Sequence, residues 1–597
     1  MTDENRLNRR QLLKFTGAGL AAGALSSGVA SAASTERYGI QFERVVDAVD
    51  DLGMDPNGNR AIDGALARTM RQGDTLVEFP PGEYLIRDEI RVGGPQNWGM
   101  RGLGDDPEDV RFVSNSREGL QAINTWNGNG VLVENVALDY SQRRRGKLGL
   151  RVVVYDNLRI QDVHFVGFNP TESNGAVVTL SPVILDPGGE GVVEGVERTG
   201  GTEIKPHRSK TSDPNAPGII WTGTRHRGRL YVRNSRFENA GENGIYASAP
   251  SGDVRIEDCT FVNNNQAAVR IGGDGSYVKD SEFIVDSDAA GRVNSTPLIN
   301  PNMIIWETDQ RGESGGSVEG CTFTYESVPK PVTALWVDGS AGSMTVRDCQ
   351  FEMNADGVRP IRVDDPVRQA RLGKTAERPW GVTIEGVTIT GDSSGSAAIE
   401  LFRRPDSTVR DSCIQMTGGR DGVSVSDSSG CEVVNTNINV DGRPTTTDNA
   451  TLSTSDLRLD GSCPLSGAAS SDDSGEGSDD SDSDESDSDD SSGGSDDSNS
   501  DESDSDDSGG GTDDSYSGGV RELVVHGAGD GRYDYRIRYD GTASTDERGD
   551  SAGGGVIEGS LWRWNTDTFE LEGEVTEIVE LTDGATVTLD GERIDDA

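Results

Sequence analysis

Between Val131 and Val440 the chain returns again and again to one pattern of apolar and polar positions. An aliphatic residue and any residue are followed by Asp, Asn or Gly, then a small or apolar residue, any residue, and an aromatic or aliphatic one. VLVENVAL, LRIQDVHF, LYVRNSRF, VRIEDCTF, SYVKDSEF, GSVEGCTF, MTVRDCQF, VTIEGVTI, STVRDSCI and CEVVNTNI are its copies. Measured at the last apolar residue, Phe237, Phe261 and Phe283 lie 24 and 22 residues apart, and Ile389, Ile414 and Ile438 lie 25 and 24 apart. Apolar residues alternate within each copy, which is the period of a strand. The Asp/Asn/Gly column asks for a residue that tolerates a left-handed backbone, as at a corner. Strand, corner and strand, repeated every 22 to 25 residues, predict an all-β stack of parallel coils, a β-helix.

Ahead of the repeats the pattern turns helical between Tyr38 and Met70, with Ile62, Leu66 and Met70 on one face. It predicts a helix that caps the open end of the solenoid, with coils beginning near Thr75. Three stretches interrupt the repeat, from Ser181 to Arg229, from Asp286 to Ser317 and from Pro360 to Gly381. Loops inserted at one corner of such a coil gather on one side, which is where a site is expected. After Cys463 the composition changes: residues 470 to 518 are almost entirely Ser, Asp, Glu and Gly with no basic residue, which predicts an extended tether. Renewed alternation in RELVVHG, RYDYRIRYDG and ATVTLDGERI predicts a small antiparallel β domain at the end. Its Tyr533, Trp562 and Trp564 fit carbohydrate binding, and a surface appendage is the other reading. The expected organisation is a signal peptide over 1–32, the β-helix over 33–465, the linker over 466–518 and the C-terminal β domain over 519–597.

The repeats, together with MDPNGNRAIDGALARTMRQGDTLVEFPPGEYLI and NWGMRGLG near the N-terminus, resemble the right-handed parallel β-helix family, the pectin-lyase-like fold of pectate-lyase-superfamily and tailspike-type proteins. The resemblance covers roughly residues 38 to 460. It implies a right-handed solenoid with a short capping helix, and no single reaction, because the fold hosts lyases, hydrolases, epimerases and plain binding proteins. Of the Asn-Thr-Asp, Asp-Asp and Gly-His-Gly motifs that polygalacturonases carry on successive coils, the repeats between Val131 and Val440 have only Asp364-Asp365. Arg359-Pro360-Ile361-Arg362 matches the Arg-x-Pro-x-x-Arg segment of pectate lyases in composition but not in spacing, and the Asp-Pro-His-Glu motif of alginate epimerases is missing.

Charge narrows the partners. The net charge is −48, from 103 acidic and 55 basic residues, with only seven lysines. Such a composition resembles that of proteins from salt-loving archaea, in which carboxylates keep the folded chain hydrated. It excludes nucleic acid, which needs a basic footprint. Arg9 and Arg10 precede an apolar run from Phe15 to Val29 that ends in Ala30-Ser31-Ala32. This reads as a twin-arginine export signal. The run is short of the roughly 20 residues that span a bilayer, so no stable membrane insertion is expected. The expected location is extracellular or at the cell surface, with the twin-arginine translocase a partner during export. Cys259, Cys321 and Cys349 share one column and read as stacked buried residues, while a Cys413–Cys431 bridge is left to geometry. No cofactor is assigned and no metal ligands are nominated; calcium, held weakly by acidic residues, is the one ion considered.

Candidate chemistry lies where the repeat breaks. Lys205, His207, Arg208, Lys210, Arg225, His226 and Arg227 form a basic, histidine-bearing cluster in the first interruption. Lys205, His207, Arg225 and His226 are the candidate catalytic residues, suited to abstract a proton α to a uronate carboxylate, and Arg208 would pair that carboxylate. Trp221, Trp306, Trp336 and Trp380 sit in or beside interruptions, where flat rings could stack on sugars. Asp364 with Asp365, Glu307 with Asp309 and Glu238 with Glu242 are candidate carboxylate pairs for hydrolysis. The substrate-binding set is Arg208, Trp221, Trp306, Trp336, Asp364 and Asp365. Two functions follow: a secreted lyase or glycosidase acting on or binding an acidic polysaccharide or surface glycan, and a non-catalytic adhesion or matrix protein.

Overall fold

The structure, a computed structural model, describes residues 34–116, 119–141, 146–169, 178–204, 218–294, 297–308, 311–366 and 376–463. In the C-terminal part it describes 521–526, 532–544, 551–553, 555–562, 566–582, 585–589 and 592–594. The chain divides into two compact units, 1–474 and 475–597. The candidate export signal and the acidic linker lie outside the described residues.

In the first unit, strand follows strand in a parallel β-helix of the right-handed kind. Each coil contributes to three columns, here called faces one, two and three. One coil runs through Asp253–Glu257 on face one, Thr260–Val262 on face two and Ala267–Ile271 on face three. The next runs through Asp274–Lys279, Glu282–Asp286 and Asn302–Trp306, each strand pairing in parallel with the one below.

The Asp/Asn/Gly column is the corner between faces one and two. Asn135, Asp162, Asn234, Asp258, Asp280, Asp348, Asp411 and Asn435 all have φ between 44° and 56°, and Gly195, Gly320 and Gly386 between 63° and 65°. Left-handed backbone is cheapest for these residue types, so Asp348 holds a corner and is no catalytic acid. Inside, Phe237, Phe261, Phe283, Phe323 and Phe351 stack coil upon coil, with ring centroids 4.5–5.6 Å apart. Cys259, Cys321 and Cys349 are free and buried, and each thiol donates to backbone carbonyls. Cys413 is bonded to Cys463, while Cys431 is free, which corrects the Cys413–Cys431 option.

The residue before each corner carries a second signal. Along face one the register aligns Glu194, Arg233, Glu257, Lys279, Glu319, Arg347, Glu385 and Arg410 on consecutive coils. Acid and base alternate without a break, and neighbours form ion pairs: Arg233–Glu257 at 2.8 Å, Lys279–Glu319 at 3.2 Å, Arg347–Glu385 at 3.3 Å and Arg410–Glu385 at 2.9 Å. A slip of one coil would set like charge on like, so the ladder favours the native register. Lys279→Glu would place three glutamates in a row. It is expected to cost about 1–2 kcal/mol, a cost that shrinks in high salt; equal melting losses at low and high salt would argue against an electrostatic ladder.

Two expectations about the ends and loops need correction. The capping helix is Asp63–Gln72, shorter than the helical pattern suggested, with Leu66 and Met70 buried. Short strands occupy part of 38–62 instead, and Arg44–Asp47 already pairs with Thr75–Phe79, so coiling starts before Thr75. The interruptions also fall at two corners rather than one. Residues 199–219 and 287–301 join face two to face three, whereas 307–314 and 364–382 join face three to face one. Inserted segments therefore enter some face-three strands and leave others.

In the second unit the strands Ser551–Gly553, Val556–Trp562, Arg532–Ser544, Thr566–Leu581, Arg521–His526, Thr586–Leu589 and Glu592–Arg593 lie in that spatial order as one antiparallel sheet. Leu523, Val525, Ile537, Phe569 and Val587 are buried on it. The side chains of Tyr533, Trp562 and Trp564 lie outside the described residues.

Candidate functional site

Along face three the outward side chains form one continuous track. The register carries Trp221 to Tyr246, Tyr246 to Arg270, Arg270 to Ile305, Ile305 to Trp336, Trp336 to Arg362, and Arg362 to Glu400. Successive strands of a sheet lie about 4.8 Å apart, so this track presents a ring or a charged group at nearly every such step. The Arg270 guanidinium lies 4.5 Å from the Tyr246 ring centroid, and that of Arg362 lies 5.1 Å from Phe402.

Where the face-three strands end, three coils in succession place a carboxylate. Asn302–Trp306, Thr333–Val337 and Arg359–Val363 are followed directly by Glu307, Asp338 and Asp364. Their amides continue the ladder: Glu307 N donates to Ile271 O, Asp338 N to Trp306 O and Asp364 N to Val337 O, each at 2.9 Å. The three carboxylates thus form one column beside the outward track.

Their environments differ. Glu307 Oε1 accepts from Ser248 Oγ at 2.6 Å and from Arg270 at 2.6–3.0 Å. Among the described residues Oε2 takes no hydrogen-bond donor. Burial pushes the Glu307 carboxyl above its ordinary range; Arg270 and Ser248 pull it down, and Asp338 adds to the push. Asp338 is half-buried, and its Oδ1 accepts the Ser340 amide at 2.9 Å. Asp364 accepts from Trp336 Nε1 at 2.9 Å and from Arg362 Nε at 2.7 Å. A raised carboxyl beside an accessible carboxylate is the pairing that acid–base chemistry requires.

A buried arginine holds the column from behind. Arg404, fully buried, donates from Nε to Asp364 O and from Nη2 to Asp338 O. Its Nη1 donates to Ala341, Gly342 and Trp380 carbonyls. Burial lowers it to about 10, while Asp364, Asp338 and Asp365 act to raise it.

The residues named from sequence fare unevenly. Lys205, His207 and Arg208 lie outside the described residues, as do Lys210 and Asp309. Arg225 is exposed in the turn after Trp221. His226 cannot serve as a base as placed: it is fully buried, its Nδ1 accepts the Ile184 amide at 3.1 Å, and its Nε2 lies 3.2 Å from Asp253 O, to which it donates. It ties two turns together. Trp306 is fully buried and faces the core, so it presents no ring to a ligand. Trp221, 41% exposed, and half-buried Trp336 do face outward. Trp380 is half-buried, and its Nε1 donates to Ala376 O at 2.8 Å. Asp365 sits 3.4 Å from Arg403. Asp338, Tyr246, Arg270, Arg362, Glu400 and Arg404 were not foreseen, although IIWE, LWVD and IRVD each end a face-three strand with an acid and could have revealed the column.

Burial lowers His226 to about 4, with the Asp253 carbonyl opposing and Arg311 reinforcing. A depressed folded-state value means that its contribution is whole above the unfolded value of about 6.5 and is lost as pH falls toward 4. The loss should be on the order of 2–3 kcal/mol. Melting curves of the wild type and His226→Gln from pH 7 to 4 should converge on acidification; parallel curves would remove His226 from the acid response.

No helix among the described residues is long and apolar enough to cross a membrane. Among the described residues no cluster of His, Cys, Asp and Glu is arranged to hold a metal ion.

Residues 152–296 and 217–363 match the family model described as a right handed beta helix region. No curated protein matches the chain. Solved structures to which the chain is similar include the A-module of the Azotobacter vinelandii mannuronan C-5 epimerase AlgE6, 12% identical, covering 70% of this chain and 100% of that one, with a TM-score of 0.37. The exopolygalacturonase of Thermotoga maritima is 10% identical, covers 70% and 92%, and has a TM-score of 0.32. The Streptococcus pneumoniae surface protein and adhesin PfbA is 12% identical, covers 70% and 100%, and has a TM-score of 0.29.

Proposed function

We propose that this protein, exported from the cell, binds a polysaccharide along face three and hydrolyses it at the column of Glu307, Asp338 and Asp364. The observation that carries the reading is the column itself: a carboxyl raised by burial stands one coil from an accessible carboxylate, beside an outward track bearing Trp221, Tyr246 and Trp336. Glu307 donates the proton to the leaving oxygen, and Asp338 is the nucleophile or the base that activates water. One coil step of about 4.8 Å is near the separation of roughly 5–5.5 Å used by retaining enzymes. Two steps, from Glu307 to Asp364, come near the roughly 6.5–9.5 Å of inverting ones.

Hydrolysis is favoured over β-elimination because the arginines of the track are already matched with acids. Arg270 pairs with Glu307, and Arg362 pairs with Asp364 and approaches Glu400 at 3.6 Å. A lyase site needs a free cation to neutralise the uronate carboxylate before its α-proton leaves. The same pairing favours a neutral glycan over an acidic one.

A screen of the full chain in high salt with calcium present tests this, using pectate, alginate, chondroitin and neutral glucans. New reducing ends without ultraviolet-absorbing unsaturated ends are expected on at least one glycan. Unsaturated ends would move the reading to a lyase. Retention on a glycan with no new ends would favour the adhesion reading, and neither retention nor cleavage would defeat both.

A further inference from the structure

Two tryptophans of face three, on the N-terminal side of the carboxylate column, lie against glycines. Trp126 pairs in register with Gly93 on the coil before it, and a Cβ at Gly93 would fall 2.7–2.9 Å from three consecutive atoms of the indole. Gly93 lies outside the left-handed region, so the position asks for room beneath the ring and not for backbone freedom. Trp221 leans along its own strand instead: a Cβ at Gly223 would stand 3.6–3.8 Å from three consecutive atoms of its six-membered ring. Three atoms at nearly one distance mean that the glycine meets the face of the ring and not its edge. Each indole thus has one face seated on backbone, and with both residues 41% exposed the other face is turned to solvent.

Both rings lie in line with the carboxylates. The pairings of face three set Glu307 opposite Gly272, Gly272 opposite Ser248 and Ser248 opposite Gly223. The Trp221 ring therefore rests in the column that holds Glu307, three coils away. Three further pairings, the first of them crossing a β-bulge, separate Trp221 from Trp126. At about 4.8 Å for each strand step, Trp126, Trp221 and Glu307 follow one another at intervals of roughly 14 Å. A sugar in an extended glycan advances by about one such step, and its C–H face is apolar, as an indole face is. With acids outnumbering bases 103 to 55, the surface repels a polyanion, which leaves an uncharged chain as the ligand that fits.

We propose that the glycine-seated rings of Trp126 and Trp221 are two remote platforms for a neutral glycan that runs from the carboxylate column toward the N-terminal coils. The proposal rests on the reading of face three as a glycan-binding surface and not on hydrolysis. Its consequence is a dependence on chain length. About three sugars reach from Glu307 to Trp221 and about six to Trp126, so a short oligosaccharide held at the carboxylates gains nothing from Trp126.

Affinity electrophoresis of the full chain in gels carrying hydroxyethylcellulose, laminarin or dextran tests this. The wild type should be retarded by at least one of the three, and Trp126→Ala and Trp221→Ala should each bind that glucan about tenfold more weakly. Trp126→Tyr, which keeps a flat ring, should recover most of the loss. On a size ladder of oligosaccharides from the same glucan, Trp126→Ala should match the wild type below about six sugars and fall behind it above that length. Alanine variants that melt and bind like the wild type would overturn the platforms and leave the face-three reading standing, as would a deficit equal at every length. No retardation by any of the three glucans would also overturn them, and the acidic glycans of the screen above would then decide the face-three reading alone. In the wild type, oxidation of Trp126 by N-bromosuccinimide, read by peptide mass, should be slowed by long oligosaccharides and not by short ones. Absence of that protection overturns the Trp126 platform even if the alanine variants fail to fold.

Discussion

Arg404→Met is expected to cost the solenoid about 3–5 kcal/mol. Methionine refills much of the apolar stem, so the loss is not one of volume. Five carbonyls, from Asp338, Ala341, Gly342, Asp364 and Trp380, lose a donor that is itself fully buried. These carbonyls come from the turns that leave face three in successive coils, so one side chain fastens several turns at once. Arg404→Lys should recover little, because three protons on one nitrogen cannot span positions that a planar fork reaches. Urea unfolding of both variants measures the effect; a loss below about 1 kcal/mol for the methionine variant would mean that the turns hold without the arginine. A glycan-cleaving protein should also lose activity in Arg404→Lys before it loses its fold, since the backbones of Asp338 and Asp364 are what Arg404 holds.

Glu307→Gln should lower turnover of the glycan identified by screening by about 10²–10⁴-fold, the usual worth of a positioned proton donor. Glutamine keeps an oxygen for Ser248 and Arg270 but has no proton to give. The pH profile distinguishes this from a local disturbance. Burial raises Glu307, so its protonated form persists to higher pH than an ordinary carboxyl, and activity should fall on the alkaline side as the proton leaves. That limb should vanish in Glu307→Gln. An unchanged alkaline limb would assign the proton to another group. Melting curves at pH 7 provide the control, because Arg270 loses its ionic partner in the same variant.

The corner column shows how much a repeat can reveal. Asp, Asn and Gly recur at one position because only they enter the left-handed region cheaply, and a constraint that local leaves its mark in composition. The stacked phenylalanines and thiols were legible for the same reason: alternation fixes which side chains point inward. The alternating charges before each corner were equally present in the sequence, yet they acquire meaning only when coil is set upon coil.

The site was less legible. Trp306 and Trp336 occupy similar sequence surroundings, but strand parity turns one into the core and the other outward. His226 looked reactive because histidine often is, whereas both its nitrogens are taken by backbone partners far away in the chain. Asp338, an unremarked residue in WVDGS, gains its standing from Glu307 and Asp364 lying above and below it. By itself the sequence determined the coil, its corners and its period, because these depend on residues within one repeat. Only the tertiary structure decided which carboxylates share a column, which cations are already paired and where Arg404 reaches, because those depend on register between coils separated by 20 to 40 residues.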